Sequence, residues 1–332
     1  MKCGPLLRAL VVLVVLVCGA DASAASSGEV SPISVGIGDQ SVAMFTSPLF
    51  HRLHIKRTRY FVPSNIMHDR EERLKARRFV QAARGAGVST LVHVSTTDLR
   101  AERGRLVSVR DYRRDIGRIV MYFRKLGVSD FGAWNEANHR SQETWNRIGH
   151  AVSYFKSMYR TVKRRCRKCQ VVGLDVLDQA EVDRYIGSFY GQLSDVWRER
   201  LKIVGIHNYI DVNMNEPEGA TPSPGTSLII RAVHRYNKRA RFWFTEVGAL
   251  VSFRTFYPYS EERQATKLQK MFLFAHRYRR SGVERLYAYN WFTAESGPCG
   301  EACKFDSGLV GLDGTPRPSY RVFEAHLREF SR

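Results

Sequence analysis

Short runs of β-branched and aromatic residues alternate with longer amphipathic stretches along most of the chain. Each short run ends in a polar residue, and this pattern predicts a strand that leads into a loop. The predicted strands are residues 33–39, 58–63, 90–95, 130–136, 171–175, 202–209, 241–246 and 285–291.

The stretches between these runs predict helices, because apolar residues recur in them at steps of three and four. Ile116, Ile119, Val120 and Phe123 show this spacing. The predicted helices are residues 71–86, 108–126, 144–165, 179–193, 227–237, 261–280 and 320–330. Strands that alternate with helices indicate a parallel sheet with helices packed outside it.

Eight strand–helix units are the number that closes a (β/α)8 TIM barrel, which typically takes about 250 residues. The chain has 332 residues, so one such domain is the simplest prediction. A doubly wound open sheet is the alternative, since the number of units does not exclude it. Gly36 and Gly38 end the first predicted strand, but the later glycine of a dinucleotide-binding fingerprint is missing. We therefore expect no nucleotide cofactor.

The N-terminus has the composition of a secretory signal. Lys2 and Arg8 precede an apolar run at residues 9–17, and small residues follow at 22–24. The apolar run is shorter than the roughly 20 residues that span a membrane, so we expect cleavage rather than a membrane span. The predicted segments are a signal peptide at 1–24, a disordered linker at 25–31 and one folded domain at 32–332 of a secreted, monomeric protein.

Four cysteines remain after the signal peptide is removed, in two closely spaced pairs. Disulfides are the first interpretation in an oxidising compartment, and a four-thiolate zinc site is the alternative. In a barrel, Cys166 and Cys169 precede strand five at one end, whereas Cys299 and Cys303 follow strand eight at the other. One zinc ion cannot bridge both ends, so we expect two local disulfides and no metal. We favour Cys299–Cys303 over Cys166–Cys169, because two intervening residues strain the latter bridge.

The formal net charge of +20 favours contact with anionic surfaces such as acidic polysaccharides, cell-wall polymers, lipid headgroups or nucleic acid. Mixed-sign runs such as residues 110–115 also fit a solvated coat of charged side chains. No nucleic-acid-binding module and no concentrated array of basic and aromatic residues is recognisable. We therefore expect no specific nucleic-acid partner.

Two glutamates follow aromatic-rich runs at the ends of predicted strands four and seven, Glu136 and Glu246. Barrel chemistry takes place at the carboxyl ends of the strands, where these two side chains would face one another. A single strand-end glutamate could cap a helix or pair with an arginine. Two carboxylates across a sugar-sized gap are typical of glycoside hydrolysis, in which environments hold their pKa values apart.

The residues around both glutamates resemble the signatures of the clan A retaining glycoside hydrolases. Residues 134–138, Trp-Asn-Glu-Ala-Asn, resemble the Trp-Asn-Glu-Pro-Asn motif at strand four of those enzymes, with Ala137 in place of proline. Residues 242–248, Phe-Trp-Phe-Thr-Glu-Val-Gly, are similar to their strand-seven segment. The resemblance implies that Glu136 is the acid/base, Glu246 the nucleophile, and Asn135 a hydrogen-bond partner of the sugar 2-hydroxyl.

The resemblance also implies roles for strand six. His207 and Tyr209 share a face of that strand. Tyr209 would orient Glu246 through a hydrogen bond, and His207 would contact the substrate or the acid/base, unless it is only a satisfied buried histidine. Trp291 matches the sugar-stacking position of the clan at strand eight, with packing in the core as the alternative.

Asp39 and Asp175 also end predicted strands, and each could bind sugar hydroxyls or cap the next helix. His93 on strand three is expected to be a buried, hydrogen-bonded histidine.

Together these predictions describe a secreted retaining glycoside hydrolase that cleaves β-glycosidic bonds in a poly- or oligosaccharide. The positive charge suggests an acidic or cell-wall glycan and retention at the cell wall. The alternative is a non-catalytic carbohydrate- or cell-wall-binding barrel. Retention of both carboxylates together with Asn135 favours the enzyme.

Overall fold

The computed structural model describes residues 33–96, 106–214, 225–293 and 305–330, and its parallel strands close into an eight-stranded barrel. The strands are β1 (Ser34–Gly38), β2 (Arg57–Pro63), β3 (Ser89–Ser95), β4 (Asp130–Gly132), β5 (Gln170–Leu177), β6 (Ile203–His207), β7 (Arg241–Val247), β8 (Ser252–Phe253), β9 (Val283–Tyr289) and β10 (Phe305–Asp306). The barrel order is β1-β2-β3-β4-β5-β6-β7-β9, whereas β8 and β10 form a separate antiparallel pair. The predicted (β/α)8 fold is confirmed, and the open sheet is excluded.

Among the described residues, helices surround the barrel at the seven predicted places and at three places where none was predicted. They are α1 (Pro48–Arg52), α2 (Arg70–Gly85), α3 (Val109–Lys125), α4 (Ile148–Arg165), α5 (Val182–Gly191), α6 (Asp195–Arg200), α7 (Tyr209–Asn213), α8 (Gly225–His234), α9 (Glu261–Arg277) and α10 (Pro318–Phe330). Side-chain caps fix several starts: Asp69, Ser108 and Ser260 each accept a hydrogen bond from a backbone N–H in the first turn of α2, α3 and α9. In the described ranges, no helix combines the length and apolar composition needed to cross a membrane.

The core has two layers, one inside the barrel and one between the barrel and its helices. The inner layer consists of Leu91, Val172, Ile203, Trp243 and Tyr287. An ionic group lies at the start of the strands: the Arg285 guanidinium lies 3.6 Å from the ring centroid of Trp243 and 2.5 Å from Asp130 Oδ2. The carboxyl ends of the strands lie at the opposite end of the barrel, and a site can form there.

β4 ends earlier than predicted, at Gly132 rather than at residue 136. The chain still follows the barrel beyond this point, since the Asn135 N–H donates to the Val94 carbonyl at 2.9 Å. Glu136 then adopts a left-handed backbone conformation, with φ of 46°, which ends the extended run. The residue that the sequence singled out is thus the one at which the strand becomes a loop.

A disulfide joins Cys166 and Cys169 between the end of α4 and the start of β5. The predicted bridge is confirmed, and because its sulfurs are bonded to each other they are not zinc ligands. The pair that the sequence favoured, Cys299 and Cys303, lies outside the described residues, as do the predicted signal peptide and linker.

Gly117 offers a stability test of the helical packing. It lies inside α3, and a methyl group added there would meet nothing within 4 Å. We expect Gly117→Ala to raise the free energy of unfolding by about 0.5–1 kcal/mol, because alanine restricts the unfolded chain and favours the helix. Urea denaturation monitored by circular dichroism measures the change.

Gly132→Ala is the matched control, since its added methyl would lie 2.2 Å from the His93 ring. This variant should be less stable than the wild type. A Gly117→Ala protein that unfolds at lower urea concentration than the wild type would contradict the description of α3.

Candidate active site

The open end of the barrel brings together the two glutamates that the sequence selected, although they are far apart in the chain. Glu136, His207 and Glu246 each place one side-chain oxygen or nitrogen within 4.8 Å of the others. The side chains of Glu136 and Glu246 are 19% and 13% exposed, whereas His207 is fully buried beneath them. Two accessible carboxylates therefore lie above one buried histidine.

Glu246 is held by two donors, one on β2 and one at the start of α7. Arg59 Nη1 of β2 donates to Glu246 Oε2 at 2.6 Å, and the Tyr209 hydroxyl donates to Oε1 at 2.9 Å. The Tyr209 contact is the one that the resemblance implied. Burial alone would lower the pKa of Arg59, but the charges of Glu246 and Asp175 outweigh it and raise that pKa. The guanidinium is therefore a permanent positive charge beside Glu246.

Arg59 also contacts β3 and the segment that follows β4. Its Nη2 donates to Asn135 Oδ1, and its Nε donates to His93 Nδ1 at 3.3 Å. Burial chiefly lowers the pKa of His93, to about 3, so the ring is neutral and accepts this bond. The arginine thus connects the predicted sugar-binding Asn135 to the Glu246 carboxylate.

His207 lies between two carboxylates. Its Nδ1 is 3.0 Å from Glu136 Oε1, and its Nε2 is 2.9 Å from Asp175 Oδ2. Burial would lower the pKa of His207, but Asp175, Glu246 and the hydrogen bonds outweigh it and raise the pKa to about 10. At neutral pH the ring is therefore an imidazolium, with Nδ1 hydrogen-bonded to Glu136 and Nε2 ion-paired with Asp175.

The protonated His207 sets the charge of Glu136. Burial alone would raise the pKa of this carboxyl, yet the hydrogen bond and positive charge of His207 outweigh it and lower the pKa. Glu136 is therefore ionised in the free site. Its left-handed backbone is held by its own N–H, which donates to Asp175 Oδ2 at 3.2 Å.

Asp175 does not have the predicted contact with sugar hydroxyls. Its side chain is fully buried and accepts hydrogen bonds from the Glu136 N–H and the Thr245 hydroxyl, while His207 Nε2 pairs with it. Burial would raise its pKa, but His207 and His93 outweigh burial and hold the pKa well below its usual range. Asp175 positions the site from below, and the prediction of direct sugar binding is wrong.

The predicted sugar contact of Asp39 is also wrong. Its buried carboxylate accepts from the Trp291 and Phe292 N–H groups at 2.9 and 3.0 Å, and from the Ser41 N–H at 2.6 Å. These bonds join the end of β1 to the segment after β9. The carboxylate is used for backbone capping, which is close to the alternative that the sequence left open.

Trp291 is a core residue rather than a stacking platform. It is fully buried, and its ring packs edge-to-face against Phe50 and Tyr320 at centroid distances of 5.5 and 6.0 Å. β9 ends at Tyr289, and the chain leaves the barrel before Trp291. The core alternative is therefore correct for this tryptophan.

Arg59 and Tyr289 were not among the predicted site residues. Arg59 directly precedes the apolar residues 60–63 of β2 and is itself buried, and a charged residue beside that apolar run was the available signal. The side chain of Tyr289 is close enough to Glu246 that the carboxylate, together with burial as the larger cause, raises the pKa of the phenol. No pattern distinguished Tyr289 from other strand-end tyrosines.

The donors of Glu136, His207 and Glu246 lie close enough to hold a metal ion, but their chemistry does not favour one. A metal-binding histidine must be neutral, whereas both His207 nitrogens here face carboxylates and the ring is protonated. The Arg59 guanidinium already occupies Glu246 Oε2. The group is better described as a charge-paired hydrogen-bond cluster.

Comparisons with known proteins agree with this architecture. No protein-family model matches the chain, and no curated protein sequence matches it. Among solved structures, β-glycosidase BGL167 is 15% identical, with a TM-score of 0.59 over 87% of this chain and 84% of its own. A glucosidase from Croceicoccus marinus is 12% identical, with a TM-score of 0.65 over 90% and 67%. A GH39 enzyme from Xanthomonas axonopodis pv. citri is 13% identical, with a TM-score of 0.61 over 89% and 66%. The chain therefore shares the barrel fold of distant glycoside hydrolases, as its motifs predicted.

Proposed function

We propose that this protein is a secreted retaining glycoside hydrolase that cleaves β-glycosidic bonds, with Glu246 as nucleophile and Glu136 as acid/base. The observation that carries the proposal is the approach of their carboxylate oxygens to within 4.8 Å. Retaining enzymes place their two carboxyl groups about 5–5.5 Å apart, whereas inverting enzymes need about 6.5–9.5 Å to admit a water molecule. The separation supports direct attack by one carboxylate.

In the first step Glu246 attacks the anomeric carbon, and the bond to the departing glycosidic oxygen breaks. That oxygen takes the proton of Glu136 and leaves as an alcohol, while the sugar stays bound to Glu246 as an ester. Glu136, now ionised, removes a proton from water, and the resulting oxygen nucleophile displaces Glu246. The Arg59 and Tyr209 bonds hold the Glu246 oxygens in place for both steps.

Glu136 must gain a proton before it can act as an acid, because His207 keeps it ionised in the free site. Arg59 and His207 contribute two positive charges beside the carboxylates of Glu136, Glu246 and Asp175. One added proton on Glu136 would balance the cluster. A bound sugar excludes water, which disfavours the uncompensated charge and raises the carboxyl pKa.

The contacts of Asn135 support its proposed role as a hydrogen-bond partner of the sugar. Arg59 Nη2 donates to its amide oxygen, which fixes the orientation of the side chain. The amide nitrogen is then the group that donates to the sugar 2-hydroxyl beside Glu246. Such a contact strengthens in the oxocarbenium-like transition state.

Product stereochemistry tests the proposal. Purified protein would be assayed against a panel of aryl β-glycosides and β-linked polysaccharides, with the first-formed anomer followed by ¹H NMR. We expect the β-anomer to appear first and to mutarotate afterwards. A first-formed α-anomer would contradict a nucleophilic Glu246. Binding of glycans without any hydrolysis across the panel would favour a non-catalytic carbohydrate-binding barrel instead.

His207→Asn is expected to move the basic limb of the pH profile of kcat/KM to higher pH. The positive charge of His207 lowers the pKa of Glu136, so its removal should raise that pKa and keep the acid protonated at higher pH. The basic limb reports this group in the free enzyme. His276→Asn, an exposed histidine in the last turn of α9, is the control. A basic limb that stays in place or moves to lower pH would contradict the pairing of His207 with Glu136.

Two features support the proposed export and retention at the cell wall: the N-terminal segment and the distribution of charge. Residues 1–24 have the order of a secretory signal, which supports export. Each helix that leads directly into a barrel strand carries basic side chains in its last turn, at the end of the barrel opposite the glutamates: His51 and Arg52, Arg84, Arg124 and Lys125, Lys163 to Arg165, Arg198 and Arg200, Arg231 and His234, and His276 and Arg277. The helix dipole favours such placement.

The turns between these helices and the next strands carry further exposed basic residues. Together with the helix ends they form a basic face opposite the cleft. Such a face supports retention on an anionic wall polysaccharide that leaves the cleft free. Replacing Arg167, Lys168, Lys238 and Arg239 with serine should weaken binding to polygalacturonate and flatten its salt dependence. Cosedimentation between 20 and 300 mM NaCl, taken as about the range over which screening sets in, measures both. Serine replacements of Arg70, Arg110, Arg113 and Arg140, near the opposite end, are the control. Equal losses in both variants would contradict a localised face.

A further inference from the structure

A short basic turn closed by the Cys166–Cys169 disulfide joins α4 to β5, at the end of the barrel opposite the glutamates. Its residues 163–169 read Lys-Arg-Arg-Cys-Arg-Lys-Cys, so five cationic side chains surround the two cysteines. The proposed cleavage of glycosides uses none of these residues. We call residues 163–169 the cysteine turn.

Hydrogen bonds hold the shape of the cysteine turn independently of its disulfide. The Cys166 N–H donates to the Val162 carbonyl at 2.8 Å and so continues the last turn of α4. Lys163 Nζ donates to the Cys169 carbonyl at 2.6 Å and to the Arg167 carbonyl at 3.1 Å. A disulfide stabilises a protein more when it closes a longer loop, and these cysteines are only three positions apart. Breaking the bond should therefore leave the turn folded and the two sulfurs adjacent.

The two cysteines of the turn differ in their access to solvent. Cys166 is partly exposed, whereas Cys169 is 1% exposed. Thiol–disulfide exchange begins when a thiolate attacks one of the two sulfurs, so access decides which of them reacts. Cys166 is therefore the sulfur that a thiolate from outside can attack, and Cys169 is the leaving group.

The surroundings of Cys166 are positively charged. Among the described residues, no carboxylate lies within ion-pair distance of the five cations of the turn, which are Lys163, Arg164, Arg165, Arg167 and Lys168. Burial lowers the pKa of Lys163, and the positive charges of Lys202 and Arg241 lower it further, which indicates an excess of positive charge here. Such a surface attracts anions and accelerates their association.

The same surroundings stabilise a thiolate on Cys166 once the bridge is open. The Cys169 N–H donates to Cys166 Sγ at 3.1 Å, and this donor and the nearby cations favour a negative charge on the sulfur. The carboxyl end of α4 acts against them, but its dipole amounts to only about half an elementary charge. Cys166 is therefore the more accessible sulfur and also a good leaving group from a mixed disulfide.

We propose that Cys166–Cys169 is an exchangeable disulfide that reacts with anionic low-molecular-weight thiols, of which glutathione is the probe. The small thiolate attacks Cys166 Sγ, the bond between the cysteines breaks, and Cys169 leaves and takes up the proton that the small thiol released. A second small thiolate attacks the small-molecule sulfur of the mixed disulfide and releases Cys166. In sum, one protein disulfide and two small thiols become one protein dithiol and one small disulfide. This reaction does not rest on the proposed glycosidase activity.

Single cysteine replacements test which sulfur reacts. In reduced Cys169→Ser the bridge cannot re-form, so glutathione disulfide should leave a stable adduct on Cys166, located by peptide mapping with mass spectrometry. Reduced Cys166→Ser keeps only the buried thiol, and we expect it to form the adduct about tenfold more slowly or less. Circular dichroism checks that both variants are folded. Equal rates in the two variants, or no adduct in either, would overturn the proposal.

A charge comparison tests the preference for anionic thiols. Arg167→Ser/Lys168→Ser should lower the ratio of adduct formation with glutathione disulfide to that with the uncharged bis(2-hydroxyethyl) disulfide by about tenfold, because charge steers only the anion. Lys238→Ser/Arg239→Ser, in the turn before β7, is the matched control and should leave the ratio unchanged. Both pairs would be made in the Cys169→Ser background. Equal slowing with both disulfides would overturn the preference for anions.

Reversibility in the wild-type protein is the final test. In millimolar reduced glutathione the bridge should open to the dithiol, and it should close again when glutathione disulfide is added, with the circular dichroism spectrum unchanged throughout. Alkylation of free thiols followed by peptide mapping measures the open fraction at residues 163–169. A bridge that stays closed under these conditions, or a protein that unfolds when it opens, would overturn the proposal.

Discussion

Replacing Glu246 with glutamine is expected to lower kcat for aryl β-glycosides by about 10⁴-fold or more, the scale on which loss of an enzymatic nucleophile acts. The amide is a far weaker nucleophile than the carboxylate, and it can turn its NH₂ group toward the Arg59 guanidinium that now donates to Oε2 at 2.6 Å. The variant should still bind glycans, since the rest of the cleft is intact. Single-turnover and steady-state rates measure the loss.

A rescue experiment distinguishes lost chemistry from lost structure. In Glu246→Ala, azide can enter the space left by the carboxylate and attack the anomeric carbon from the same side. An α-glycosyl azide should therefore form and restore turnover. Glu262→Gln, on the exposed first turn of α9, is the matched control and should keep wild-type rates. Wild-type activity in Glu246→Gln would remove the residue from the mechanism.

Replacing Glu136 with alanine should produce the second largest loss, about 10²–10⁴-fold in kcat/KM, the usual contribution of a general acid or base. The loss should depend on the leaving group. Aryl glycosides with a poorly acidic phenol need the proton of Glu136, whereas dinitrophenyl glycosides leave without it. Their bond cleavage should therefore be nearly as fast as in the wild type, with hydrolysis of the glycosyl-enzyme now slow.

Two observations would identify Glu136 as the acid/base: a burst of dinitrophenol release by the Glu136→Ala variant, and acceleration of this variant by azide. Azide needs no general base, so it should accelerate Glu136→Ala and yield a β-glycosyl azide, the anomer opposite to that from Glu246→Ala. Glu143→Gln, at the start of the short 3-10 helix after Glu136, is the control. Equal losses for good and poor leaving groups would exclude Glu136 as the acid.

The fold could be predicted because each barrel strand is a short apolar run and each helix has one apolar face. These local patterns give the eight barrel strands and their order, which the structure confirms, whereas the short elements β8, β10, α1, α6 and α7 were not predicted. The ends of elements were less predictable. Backbone conformation decides them, as at Glu136, whose left-handed φ ends the extended run after β4.

The site was only partly predictable, because a sequence pattern locates strand ends but not the depth of each side chain. The two glutamates lie in motifs, and the structure brings their side chains close together. Asp175, Asp39 and Trp291 were assigned to the cleft, yet their side chains are below it or in the core. The contact between Arg59 and Glu246 spans 187 positions in the chain, and no local pattern encodes it.

Covalent trapping of the glycosyl-enzyme tests the central claim most directly. A 2-deoxy-2-fluoro β-glycoside with a dinitrophenyl leaving group slows both steps, and its good leaving group lets the intermediate accumulate. Peptide mapping by mass spectrometry then locates the sugar. We expect one fluoroglycosyl adduct per chain, on the peptide that contains residues 242–248, with the ester at Glu246. An adduct on Glu136 or on any other residue, in protein that hydrolyses the parent glycoside, would contradict the account.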